Sequence, residues 1–373
     1  MVRFGDIIIL LTLVRSVFGT KFVIQLANEI SLEAVFQHHR FEGPLEVFKI
    51  GTGFKAFSGD FDDAILQKLL NDPKVESISI DQRLQTQEYV FQQNAPAHLK
   101  KIASSSPTPR QPYLYHSNAG IGVDIYIFDT GIDSKNPNLQ QINVMKLIDL
   151  TQDIAPAGVD ANGHGTAMAG VVASETFGVL KKCNLIDMRI VEKDGTSKLS
   201  SLLRALDIAE KHVKTTERPS VFTIPLIMQE RNAILNSAIE NLNKELAIVV
   251  PAGNQNSDAC NFSPASCSKN ANLLVLGSLN QDDNLAEFTN FGGCVDLFTS
   301  GTDVITLSPT DLSQSSLIRE VNGTSISCAI GSGVVGYYMS LGFSSLQAIE
   351  QTKTAAYNPT SMGIEYKVLQ LKP

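Results

Sequence analysis

The 373-residue sequence predicts an α/β protein in two parts: a large parallel sheet with helices on both faces, preceded by a small α+β domain. Three observations carry this. From Gly122 onward, short apolar runs alternate with helical patterns, as strands joined by crossover helices do. Residues 21–83 instead run strand, helix, strand, strand, helix, strand, the split βαβ order. Between the two, Gln85 to Ala97 carries Gln, Asn and Pro with little apolar periodicity and reads as an exposed linker.

In chain order, Met1-Val2-Arg3 followed by the apolar Ile7 to Val14 and the small Gly19 reads as a signal peptide over 1–19, too short to span a bilayer. Residues 21–27 alternate like a half-buried strand, and Ser31 starts a short helix to His39. Strands at Leu45–Ile50 and Phe54–Phe57 flank the Gly51-Thr52-Gly53 turn. A helix from Asp62 to Leu70 and a strand from Val75 to Ile80 complete the small domain, assigned to 20–88. Residues 89–121 are assigned to the linker and the start of the large domain, and 122–373 to the large domain itself. There, strands are expected at Val123–Phe128, Leu185–Val191, Val221–Ile227, Ala247–Val250, Leu273–Leu276 and Cys294–Phe298. Helices are expected at Leu199–Val213 and Ile234–Leu242. The segment Ile326 to Leu341 is apolar or small nearly all round, which marks a buried central helix.

A net charge of −8 with no basic run argues against nucleic acid as a partner. The 43% apolar and 18% charged content fits an ordinary globular core. Five cysteines suit one or two bridges with a thiol left over under secretory conditions, and none has zinc-ligand spacing. After removal of the leader no membrane span is expected, and a monomer is expected.

Four short motifs fall where this architecture puts loops or helix starts near strand ends. They are Asp129-Thr130-Gly131, Asn162-Gly163-His164-Gly165-Thr166, Ala252-Gly253-Asn254 and Gly323-Thr324-Ser325. Singly each is a turn, a surface histidine, a loop amide or a helix-capping serine. Together they supply a carboxylate, an imidazole, an amide donor and a hydroxyl, the inventory for acyl transfer. His164 would take the Ser325 proton, Asp129 would orient the imidazole, and the Asn254 amide would bind the oxyanion. A hydroxyl in the first turn of a helix also faces unpaired N–H groups and the positive end of the macrodipole.

With these motifs, residues 95–342 resemble the subtilisin-like serine proteases of the proteinase K and yeast cerevisin branch. Asp258 to Ser266 and Phe288 to Gly292 also look like segments of that family. The resemblance implies a subtilisin-like parallel sheet and a serine endopeptidase acting on peptide or protein substrates. Residues 21–83, with Gly53 to Phe57 and Asp72 to Glu76, resemble the family's ferredoxin-like inhibitory propeptide, which would serve as an intramolecular inhibitor and be cut off near Glu88 to Gln93. It further implies a Cys260–Cys294 bridge and an extracellular or vacuole-lumen location on the secretory route. The family commonly binds calcium, but no ligand set is identifiable here, so no cofactor and no metal site is assigned. A lipase is excluded, because Ser325 lacks a Gly-x-Ser-x-Gly elbow and the chain order of acid and histidine is wrong.

Departures from the family fall on its substrate strand. Relatives read Ser-Leu-Gly-Gly where this chain has Pro225-Leu226-Ile227-Met228. Leu226, Ile227 and Met228, with Gly195, Thr196 and Ser197 on the opposite edge, are the expected substrate-binding residues. Side chains at Ile227 and Met228 would narrow or fill the primary pocket, and Pro225 removes one N–H. Ala167, Ala329 and Ile330 also stand where relatives carry histidine, proline and histidine. The alternative expectation is an inactive homologue that acts as a binding or structural protein of the secretory route or cell wall.

Overall fold

The computed structural model describes residues 21–41, 43–81, 89–104, 112–152, 158–310, 317–359 and 366–372. The predicted leader at 1–19 and residues 85–88 of the predicted linker lie outside these. The chain divides into two units between Thr86 and Gln87.

The first unit contains β1 (Lys21–Leu26), α1 (Leu32–Phe36), β2 (Glu46–Ile50), β3 (Phe54–Asp60), α2 (Asp63–Leu70) and β4 (Val75–Ile80). The sheet order is β2-β3-β1-β4, and every pair is antiparallel. Ser31 and Asp62 cap the two helices by accepting from the backbone N–H of Ala34 and Ile65. Ile24, Leu26, Val35, Phe57 and Leu69 form its core. The His39 ring and the Asp72 carboxylate, both buried, meet at 2.8 Å.

The second unit starts with β5 (Tyr89–Gln92), α3 (Ala97–Ile102) and β6 (Tyr113–His116). Here Tyr89, Val90 and Phe91 are exposed as expected of the linker, but the segment is a paired strand and not an irregular connection, which corrects that part of the reading. Residues 89–92 pair antiparallel with 113–116, and Ala95 is buried. Gln92 donates to the Thr176 carbonyl at 2.8 Å and accepts from Lys181 at 2.9 Å. Polar composition concealed these partners because they lie more than twenty residues away.

Then come β7 (Asp124–Asp129), β8 (Asn143–Asp149), α4 (His164–Val172), β9 (Asn184–Arg189), α5 (Leu199–Thr216), β10 (Ser220–Thr223), α6 (Ala233–Asn241), β11 (Ala247–Pro251), β12 (Leu273–Leu279) and β13 (Leu297–Ser300). A hairpin, β14 (Val304–Leu307) and β15 (Ile318–Val321), leads to α7 (Thr324–Ser340) and α8 (Ser345–Ala355). The large sheet has seven strands in the order β13-β12-β11-β10-β7-β9-β8, all parallel. Its inner strands are buried on both faces, which explains their near-continuous apolar runs. Ile125 and Ile127 pack toward α4 and α7, while Tyr126 and Phe128 pack toward α5 and α6.

Two strand expectations are corrected. The expected Val221–Ile227 strand ends at Thr223, because Pro225 has no N–H to continue a ladder. The expected Cys294–Phe298 strand begins at Leu297, and Cys294 instead is bonded to Cys260 with Cα atoms 5.2 Å apart. Cys183, Cys267 and Cys328 are buried thiols. Among the described residues no single helix is long and apolar enough to cross a membrane.

Candidate active site

Asp129 is the last residue of β7, so a parallel strand delivers its carboxylate to the sheet's carboxyl edge. The side chain is 1% exposed. His164 is the first residue of α4, and its Nδ1 lies 2.8 Å from both Asp129 oxygens. The contact requires the two backbones to run close together. A Cβ at Gly165 would collide with the Gly131 carbonyl, so glycine there permits the approach.

A second carboxylate locks this pair. Asp160, 3% exposed, accepts from the Thr130 hydroxyl at 2.8 Å and from the backbone N–H of Asn162 and Gly163. Its other oxygen accepts from the N–H and hydroxyl of Thr166. Thr130 in turn accepts from the Gly165 N–H at 2.9 Å. One buried carboxylate thus ties the Asp129 turn to the first turn of the His164 helix. Arg189 adds a further tie, donating to the Thr130 carbonyl at 3.0 Å and to Asp149 at 2.9 Å. The sequence reading missed Asp160. Its one legible signal is an Asp four residues ahead of His164, where helix-capping side chains gather.

Burial alone would lower the proton affinity of the His164 imidazole. The charge and hydrogen bond of Asp129 outweigh it, and the pKa is raised above the ordinary 6.5.

Ser325 is the second residue of α7, whose side chains are buried over nearly its whole length. Its hydroxyl donates to the Pro225 carbonyl at 3.0 Å, not to His164. Asn254 lies three residues past the end of β11. Its Oδ1 accepts from the Thr324 N–H at 2.9 Å and the Thr324 hydroxyl at 2.8 Å. That pairing fixes which end of the amide is which and leaves Nδ2 free to donate beside Gly323. The four motifs therefore form two joined pairs: carboxylate with imidazole, and amide with the serine turn.

Five of the six expected substrate-binding residues line one open cavity of about 480 Å³: Gly195, Ser197, Leu226, Ile227 and Met228. Thr196 does not line it; its carbonyl accepts from the Glu192 N–H and closes the turn. Ile227 has a second contact. A Cβ at Gly253 would lie 2.7 Å from Ile227 Cδ1, so this side chain fills the space over the residue before Asn254. Cys328, buried three residues past Ser325, donates to the Val249 carbonyl, and burial pushes its thiol well above the ordinary range. It is a packed residue of the helix. Among the described residues no cluster of His, Cys, Asp or Glu could hold a metal ion.

A profile of the Subtilase family matches residues 120–360, and a profile of the peptidase inhibitor I9 family matches residues 21–87. A subtilisin-like protease of Coccidioides posadasii is 33% identical, covering 80% of this chain and 72% of its own. A cuticle-degrading serine protease of Arthrobotrys oligospora is 31% identical over 78% of this chain and 69% of its own. Proteinase R of Parengyodontium album is 31% identical over 78% and 71%. The crystal structure of a cold adapted subtilisin-like serine proteinase is similar in fold, with a TM-score of 0.67 and 25% identity. It covers 75% of this chain and 99% of that one.

Proposed function

The chain belongs to the subtilase family of serine proteases and carries an inhibitor-type propeptide, and from that premise we propose that it is a self-processed endopeptidase using Asp129, His164 and Ser325 with Asn254 as oxyanion donor. The observation that carries the proposal is the 2.8 Å contact of buried Asp129 with His164 Nδ1, which holds Nε2 as the ring's free base.

Rotation of the Ser325 side chain away from Pro225 brings its hydroxyl toward Nε2. His164 takes the proton as Oγ bonds to the scissile carbonyl carbon, and Asp129 stabilises the imidazolium. The negative oxygen is met by Asn254 Nδ2 and the Ser325 N–H at the start of α7. His164 then returns the proton to the leaving amine, and water repeats the sequence on the acyl-enzyme. The 480 Å³ cavity receives the residues preceding the scissile bond. Because Ile227 fills the space over Gly253, the residue at that bond is small.

Residues 20–88 act as the intramolecular inhibitor and 122–373 as the catalytic domain. The Cys260–Cys294 bridge supports a secretory route, extracellular or vacuolar.

One observation favours the alternative of an inactive homologue: the Ser325 hydroxyl is committed to Pro225. A single side-chain rotation removes that objection, since catalytic hydrogen bonds are often loose before substrate binds. A fluorophosphonate probe decides the matter. It should label wild-type protein at Ser325 and leave Ser325→Ala unlabelled, and wild-type protein should carry a new N-terminus that Ser325→Ala lacks. Absence of label on properly folded wild type would end the enzyme reading.

A further inference from the structure

One charged group beside the site has no role in the mechanism above. Arg319 stands on β15 directly opposite Thr306 on β14. Directly paired residues of an antiparallel ladder project from the same face. Thr306 is fully buried, and its hydroxyl donates at 2.8 Å to the carbonyl of Ala167, in the helix that begins with His164. Along β15 the pattern alternates: Ile318 and Glu320 are exposed, Arg319 and Val321 half-buried. Arg319 therefore lies on the hairpin face turned to α4. Its charge is felt at the imidazole, where it opposes protonation.

Other inward cations of this unit are bonded. Arg189 and Lys146 hold Asp149 at 2.9 and 2.8 Å, and Lys101 holds Asp283 at 2.7 Å. For the Arg319 guanidinium no hydrogen bond or ion pair exists among the described residues. A guanidinium has five donors in a fixed fork that matches a carboxylate. Half-buried and unpaired, it is an incomplete recognition element. It lines no part of the 480 Å³ cavity, which receives the acyl side of the peptide.

On the reading that this site is a protease, we propose that Arg319 binds a substrate carboxylate on the leaving side of the scissile bond, so that the preferred substrates are peptides acidic just after the cut. The carboxylate is an Asp or Glu side chain or the terminus of a short peptide; both present the same fork-matching group.

The test uses the full chain, expressed and left to self-process. Peptides carry Asp or Asn at the first and second positions after the cut, each series with a free or an amidated C-terminus. A charge-assisted pair should favour the acid over its amide by about tenfold to a hundredfold in kcat/KM, less at high salt. Arg319→Gln should remove the preference while the Asn peptides are still cleaved, and Arg319→Lys should restore part of it. A preference that follows the amidation series instead assigns the terminal carboxylate. Equal cleavage of all four peptides, or a preference that survives Arg319→Gln, overturns the inference. If no peptide is cleaved, the protease reading has failed. Equilibrium binding of the same peptides to the same protein then decides: equal affinity for acid and amide overturns the role of Arg319.

Discussion

Replacing Ile227 by glycine should reopen the primary specificity pocket. In the wild type the Ile227 side chain occupies the space over Gly253, beside Asn254, the proposed oxyanion donor. A substrate residue at the scissile bond must fit into what remains, which suits alanine and excludes phenylalanine. Removing the side chain exposes a slot in which phenylalanine gains about 1.5–3 kcal/mol of burial. That corresponds to roughly 10- to 150-fold in kcat/KM relative to alanine. The glycine also loosens the segment after β10 by about 1 kcal/mol, but this affects both substrates alike. The assay is a p-nitroanilide series differing only in that residue, with a melting curve to show that the variant folds. The ratio of phenylalanine to alanine should rise from below one to at least ten. A ratio that Ile227→Gly leaves unchanged, or a wild type that already prefers phenylalanine, would refute the reasoning.

Three further outcomes follow from the same geometry. Because His164 must be neutral to accept the serine proton and Asp129 raises its pKa, the acid limb of kcat/KM should lie above pH 6.5 and move down in Asp129→Asn. Asp187, 2% exposed with one oxygen unpaired, has its carboxyl pushed by burial from 3.8 up to about 8. Its folded form holds the proton more tightly than the unfolded chain, so stability declines as pH rises from about 4 to 8. Asp187→Asn should abolish that slope and be the more stable protein at pH 8 by about 2–5 kcal/mol, read from denaturation midpoints across pH. Cys260→Ser, which opens the loop across 34 residues, should cost roughly 3–4 kcal/mol on the chain-entropy model, seen as a lower denaturation midpoint.

The inner strands and the central helix were legible in the sequence because burial on both faces leaves an unbroken apolar signature. The pairing of β7 with Asp129 at its tip is of this kind, as is the apolar α7 behind Ser325. Edges and surfaces were not. Strand β8 is only half-buried and carries Lys146 among its apolar residues, so its run did not stand out. Helix α8 was overlooked, although Ser344 and Gln347 form a capping box that the sequence displays. The end of β10 at Thr223 depends on one missing N–H at Pro225. Asp160 and Arg319 were invisible for a different reason. Each acts through partners distant in sequence: Asp160 through Thr130, thirty residues upstream, and Arg319 through its register with Thr306. An isolated charged residue in a polar stretch carries no mark of such partners.

The hydrogen bond from Ser325 to Pro225 implies that the proposed nucleophile is stowed at rest. One such bond is worth about 1 kcal/mol net, so the armed rotamer is populated roughly one time in six. Exchange between rotamers takes picoseconds to nanoseconds, and turnover would show no lag. The consequence falls on electrophiles of every size: a sulfonyl fluoride and a peptidyl phosphonate meet the same averted hydroxyl in most encounters, so inactivation by either should be about sixfold slower than with the hydroxyl always turned to His164.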